Sequence, residues 1–345
     1  MVRVRLSLVI HRVVFLALIL PIFSQPVPVG AEGFGPFPVR NFQAFQQMVL
    51  SLPGDRAAVV KPGTVDVRVE LAETASVYNE NTPQISVNVK FETLRSGLFL
   101  RYGATEKLEL GLEVPVLYRY QGFMNGAITT VERATTGLNP ARDAFQNTNF
   151  LFNVTQNGQT IMSGGPGAVG LGDTILMSKY QFLMEGAVMP AVSLRGAVKL
   201  PTGNQADFFG SGSPDFGLGL ALEKLVASRW MFYANMTGVV PTGTIAGFGL
   251  QPTFSGLAAI EYLWSENFSL TTHFDYYSSP FHGTGANAFD QGVTESVLGF
   301  NYRVARHFLW QVYAVENLDF ITGSAADFTL STVFTYRFES GSSRS

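Results

Sequence analysis

Residues 64–71 read TVDVRVEL, an alternation of apolar and charged side chains without a slip. Val65, Val67, Val69 and Leu71 share one face of an extended strand, and Asp66, Arg68 and Glu70 share the other. In a soluble sandwich the valines turn to the core and the charges to solvent. In an outer-membrane barrel the valines meet lipid and the charges line a wet lumen.

Composition leans towards the barrel. Of the 345 residues 46% are hydrophobic and only 14% charged, with 35 Gly and 29 Phe; charge is usually nearer a quarter. The absence of cysteine excludes a disulfide framework, a thiol nucleophile and a Cys-based metal site. A net charge of −3 with no basic patch gives no basis for a nucleic-acid partner. Arg3, Arg5 and Arg12 precede the apolar run 13–23, and "VGAEG" follows with a small-residue cleavage site after Ala31, which predicts a secretory signal peptide over 1–31. A retained anchor fits less well, because the run is shorter than the roughly 20 residues a spanning helix needs and Pro21 interrupts it.

Residues 32–63 are punctuated by Pro and Gly and hold no long strand. They are expected to form a periplasmic segment or plug, tucked into the mouth of a barrel over 64–338, with 339–345 as a C-terminal tail. Within 64–338 about twelve alternating runs stand out: 64–76, 84–102, 107–120, 172–183, 189–201, 214–226, 229–241, 252–264, 267–280, 292–304, 307–318 and 326–338. Tight turns (103–107, 184–188, 226–229, 264–267, 304–307) alternate with longer connections (77–83, 121–171, 202–213, 242–251, 281–291, 319–325). Outer-membrane barrels sort their connections this way, short on the periplasmic side and long outside. The turns recur about every 40 residues, a period that also suits a propeller blade. A blade needs four short strands per repeat, however, and here each repeat holds two runs long enough to cross a bilayer on a tilt. The fold class is therefore all-β, a transmembrane antiparallel barrel.

Trp230, Trp264 and Trp310 each lie within three residues of a tight turn, where a periplasmic girdle of interfacial aromatics is expected. The final run places Phe328, Leu330, Thr332, Phe334, Tyr336 and Phe338 on one face, similar to the C-terminal aromatic signal read by the barrel-assembly machinery, although seven residues follow it. With the apolar face turned to lipid, the expected lumen-lining residues are Asp66, Arg68, Glu70, Lys90, Glu92, Glu109, Glu113, Arg195, Lys199, Glu223, Asp275, Glu295 and Arg303. Both signs occur, so pairing across the lumen is expected. In "TLRSG" (93–97) the apolar phase changes from odd to even positions, and a β-bulge near Gly97 would absorb the change.

Chemistry is sparse. His273, His282 and His307 have no metal-ligand spacing. Ser269, Thr271, His273 and Asp275 share one strand face, a faint echo of a Ser–His–Asp set that reads better as an interior polar cluster. The glycines of 163–173 do not follow a strand and open a helix, as a nucleotide-binding loop would. No catalytic residue, metal or cofactor is expected.

Two stretches carry resemblances. "GPFPVRNFQAFQQMVLSLP" (35–53), followed by the barrel runs, resembles the start of domain of unknown function family 3187, predicted outer-membrane proteins of Gram-negative bacteria. Residues 170–224, with "GLGDTILMSKYQFL", "VSLRGAVKLPTGN" and "GSGSPDFGLGLALEK", resemble the family named for the meta-pathway of phenol degradation, presumed outer-membrane channels. Pro201-Thr202-Gly203 recurs as Pro241-Thr242-Gly243, each where a strand reaches a long loop. The resemblances imply an outer-membrane barrel; the whole chain reads as a monomeric barrel in outer-membrane lipid whose role is passive passage of small solutes, aromatic or apolar ones among them. The competing readings are a structural or envelope-assembly barrel closed by ion pairs, and a surface receptor acting through 121–171.

Overall fold

The structure is a computed structural model and describes residues 32–135, 137–318 and 326–339. The expected signal peptide and nearly all of the expected tail lie outside those residues. Twelve long strands form the wall: β1 (Val65–Asn81), β2 (Ile85–Gly103), β3 (Leu108–Tyr120), β4 (Thr174–Leu183), β5 (Ala191–Leu200), β6 (Asp215–Val226), β7 (Trp230–Pro241), β8 (Thr253–Leu263), β9 (Phe268–Tyr277), β10 (Val293–Ala305), β11 (Phe308–Asn317) and β12 (Phe328–Phe338). Each pairs antiparallel with its sequence neighbour, and β1 closes on β12 from Val65↔Phe338 to Ala75↔Phe328. Closure gives every wall strand two partners and leaves no open edge, the condition for strands to cross hydrocarbon.

One end of the barrel carries the tight turns. In the β6–β7 hairpin Val226 pairs with Trp230 across the three-residue turn 227–229, and Ala227 and Ser228 sit in the left-handed region at φ 51° and 57°. The other end carries the loops. The connection expected over 77–83 is instead a tight turn, because β1 and β2 extend past their neighbours to Asn81 and Ile85. There β2 gains a new neighbour, the hairpin Leu151–Gln156/Gln159–Ser163, with Ile85 opposite Gln156 and Lys90 opposite Leu151. Helices Met124–Ala134 and Pro140–Ala144 occupy the preceding part of that loop.

The expected bulge near Gly97 is absent. β1 and β2 pair without a register break from Val65↔Tyr102 to Asn81↔Ser86. What changes along β2 is the surroundings, not the phase. Near the turn end its even residues Leu98, Leu100 and Tyr102 are exposed on the outer wall. Near the loop end its odd residues Ile85, Val87, Val89 and Phe91 are buried in an apolar cluster inside the barrel. The even residues there, Lys90 and Glu92, consequently face outwards.

The interior is filled by residues 33–63. The segment starts at the turn end, where the Phe34 N–H donates to Glu261. It climbs to a short 3-10 turn at Gln46–Met48 near the loop end, then descends until the Gly63 N–H donates to the Gly103 carbonyl at 2.8 Å. It therefore traverses the whole lumen twice instead of resting at the mouth.

Candidate functional site

The site is the lumen, built by the inward residues of the wall and by the segment that occupies it. Alternation sends Asp66, Arg68 and Glu70 inwards from β1, Glu109 and Glu113 from β3, Arg195 and Lys199 from β5, and Glu223 from β6, with the valines and leucines between them on the outside. Most of these charges are fully buried. A buried charge is tolerable only when paired or hydrogen-bonded, and much of the pairing comes from the inner segment.

At mid-height Arg40 of the segment reaches Glu113 at 2.9 Å. Arg95 of β2 bridges Glu113 and Glu70, the latter at 2.9 Å, and the Tyr313 hydroxyl donates to Glu70 at 2.6 Å. Arg40 and Arg68 both lie over the Phe99 ring, at 5.5 and 5.8 Å. Across the lumen Asp55 pairs with Lys179 at 3.0 Å and Arg101 at 3.2 Å. Burial would raise the Asp55 carboxyl, but the cations of Lys179, Arg101 and Arg195 prevail and hold it well below the usual carboxylate range. Arg101 also meets Asp66 at 3.0 Å, and Arg337 meets Asp66 at 2.7 Å.

Several backbone groups of the segment end on wall side chains. Val60 N–H donates to Glu109 and Leu50 N–H to Asp215, both at 2.8 Å. Glu223 pairs with Arg56 and accepts from the Ala57 N–H, each at 3.0 Å. Arg195 donates to the Pro53 carbonyl at 2.7 Å. Lys199 joins Asp215 at 2.8 Å, Asp173 at 3.1 Å and the Met48 carbonyl at 2.5 Å. Asp173 and Asp215 in turn hold the two Pro-Thr-Gly corners, accepting from Gly203 N–H and Thr242 N–H.

On the opposite wall the Phe37 N–H donates to Nε2 of His273, and the Phe37 ring stacks between His273 at 5.2 Å and Tyr313 at 4.9 Å. Asp275 lies near His273 Nδ1 at 3.8 Å and opposite Glu295 in register. Ser269 donates to Glu261, and Asn301 donates to Ser269 and Thr271. His273 thus serves the inner segment, while the hydroxyls below it belong to a separate polar network. Arg303 sits at the turn-end mouth, half-buried, over the Phe34 ring at 4.8 Å.

Two residues expected in the lumen are elsewhere. Glu92 lies on the outer wall, where its carboxylate accepts the N–H groups of Phe123, Met124 and Asn125 at 2.8–3.0 Å and anchors the first turn of helix Met124–Ala134. Lys90, on the same face, donates to the Phe145 carbonyl at 2.7 Å. Both are covered by the loop they hold. Conversely, Arg95, Arg101, Arg119, Lys179, Glu261 and Tyr313 line the interior and escaped the sequence reading. The unbroken odd phase of β2 from Ile85 to Arg101 was the signal for Arg95 and Arg101.

Above the charged zone the interior becomes aromatic. Phe45, at the tip of the segment, packs against Phe289 at 4.5 Å, Tyr78 at 6.2 Å and Phe152 at 6.3 Å. Arg119 lies over Phe91, Phe152 and Phe209 at 4.7–4.9 Å. Beside Asp55, Arg101, Lys179 and Arg195 there is a void of about 30 Å³, room for about two water molecules. On the outside, Trp230, Tyr262 and Trp264 form one contact row at the turn end, and Phe300, Trp310 and Phe334 another.

No curated protein matches the chain in sequence. Among solved structures it resembles the COG4313 outer membrane channel from Pseudomonas putida F1, with 14% identity, 82% of this chain and 98% of that one covered, and a TM-score of 0.56. More distant likenesses are to the KdgM porin (8% identity, 80% and 99% covered, TM-score 0.41) and the CymD monoaromatic hydrocarbon channel (10% identity, 87% and 98% covered, TM-score 0.38). The first establishes a shared fold, the closed barrel of an outer-membrane channel. The model of DUF3187, described as a protein of unknown function, matches residues 10–338, and the chain belongs to that family.

Proposed function

We propose that the protein is an outer-membrane channel for small solutes, aromatic or apolar ones among them, held closed in this state by residues 33–63. The exposed apolar belt, including Leu98, Leu218, Phe274 and Leu330, suits hydrocarbon, and the aromatic rows at the turn end suit the bilayer interface. The outward face of β12, with Phe334, Tyr336 and Phe338, would be read by the barrel-assembly machinery, and a single closed barrel needs no second copy.

The observation that carries the reading is how the inner segment is held. Both of its ends lie at the turn end, so it can withdraw as a loop without threading the barrel. Its ionic and main-chain contacts, centred on Arg40, Asp55 and Arg56, stand beside apolar packing of Phe37, Val39 and Phe42 on the wall. Buried ion pairs add little net stability over an apolar fit, so such a contact is made to be exchanged for water.

The filled cross-section favours one alternative, a non-conducting envelope barrel. Planar-bilayer recording separates the two. Cysteines introduced at Ala57 and Ala221, which pack together with Ala191, would lock the segment to the wall in a chain that has no other thiol. Conductance steps that vanish on oxidation and return on reduction support the gated channel. Silence from folded protein in both states rejects it.

A further inference from the structure

Phe45 is a ring delivered to the loop end of the lumen by a segment that mixes ionic and apolar wall contacts, and it meets three other rings there. It is buried in an apolar cluster, and the three rings are Phe289, Tyr78 and Phe152, with Phe281 behind Phe289 at 5.0 Å and 74°. Aromatic pairs favour tilted and edge-to-face contacts, which exploit the ring quadrupole and are worth something beyond area burial. A chamber walled in this way prefers a planar aromatic to an aliphatic chain of equal size.

The tip is attached locally. Gln43, fully buried, accepts from the N–H groups of Phe45 and Gln46 and donates to the Ala288 carbonyl at 2.7 Å. The short helix Asn287–Asp290 that carries Ala288 and Phe289 is itself fixed to the wall, since Glu80 accepts from the N–H groups of Asn287 and Ala288. The cage is therefore held by the barrel and its loops, while its occupant belongs to the segment that closes the lumen.

We propose that this chamber is a binding site for small planar aromatic solutes, that the Phe45 ring is its resident mimic, and that a solute arriving from the loop side displaces Phe45 and thereby loosens the segment. The inference rests on the channel reading for its consequence, but the binding site stands or falls separately. An internal competitor lowers apparent affinity by the fraction of time it occupies the site.

The test uses the full mature chain refolded in detergent, with 4-fluorophenol as a water-soluble probe followed by fluorine NMR. Phe45→Ala should show a saturable bound signal with affinity about tenfold or more above that of the unaltered chain, and adding Phe152→Ala to it should abolish the gain. Phe45→Leu, which keeps an apolar tip and guards against misfolding of the alanine variant, should bind with an intermediate gain. Equal, non-saturable binding by all folded variants would overturn the proposal. Bilayer recording on the same samples keeps the two readings apart. Binding without conductance supports the site and sinks the channel, whereas conductance raised by Phe45→Ala without binding does the reverse.

Discussion

The Phe37 N–H donates to Nε2 of His273 over 3.0 Å, a bond between residues 236 positions apart with both side chains fully buried. The acceptor must be an unprotonated nitrogen, so the ring proton lies on Nδ1, the side of Asp275.

Replacing His273 by Ala should orphan that buried N–H and weaken docking of the segment by about 1–3 kcal/mol. The wall strands, which pair through their own backbones, should persist. Limited proteolysis of 33–63, with barrel folding followed by heat-dependent gel mobility, reads both effects. Unchanged protection of the segment would refute the assignment.

Asp55 sets the acid behaviour of docking. Its carboxyl lies below its ordinary range when docked, so the stability it adds is fully present above the free-segment value of about 3.9. That stability declines only as pH falls from there towards the docked value. Segment protection should therefore be flat between about pH 5 and 8 as far as Asp55 is concerned. Asp55→Asn should lower it across that whole window, because Lys179 and Arg101 lose a partner. A loss confined to acid would contradict the assigned pairing.

Arg95 ties Glu70 to Glu113. Arg95→Met leaves Glu70 with only the Tyr313 hydroxyl and Glu113 with only Arg40 among these partners. Removing one member of a buried ionic group typically costs about 3–5 kcal/mol, and unfolding in urea from lipid vesicles should show a loss of that order. Converting Glu70 to Gln in the same chain should recover part of it.

Glu92 should matter for the loop and not for the lumen. Glu92→Ala removes the acceptor for three N–H groups at the start of helix Met124–Ala134, a loss of about 1–2 kcal/mol by analogy with helix caps. Protease sites within 121–148 should open while residues 33–63 stay protected. Exposure of 33–63 instead would place Glu92 on the inner face after all.

The wall was legible because it is local. A period of two written over ten or more residues fixes a strand, its two faces and its turns wherever the strand ends up. Twelve strands, the tight turns and the inward placement of Asp66, Glu109, Lys199 and Glu223 follow from that pattern alone. The same pattern does not say what each face meets. Along β2 the odd residues Val87 and Phe91 are as apolar as the even residues Leu98 and Leu100, yet the first pair fills the lumen and the second faces outwards. The strand outruns the lipid-matched belt, so outside and inside exchange polarity without a change of register. Lys90 and Glu92 were misplaced for that reason.

What the inner segment does was decided by tertiary structure. Its sequence lacks periodicity, and its partners lie 40 to 245 residues away, from Gly63–Gly103 to Gln43–Ala288. The amino-acid sequence by itself determined a barrel with charges on its inner face. Only the folded structure decided that those charges are met by Arg40, Asp55 and Arg56, because a buried charge takes whichever partner the closed barrel brings within reach.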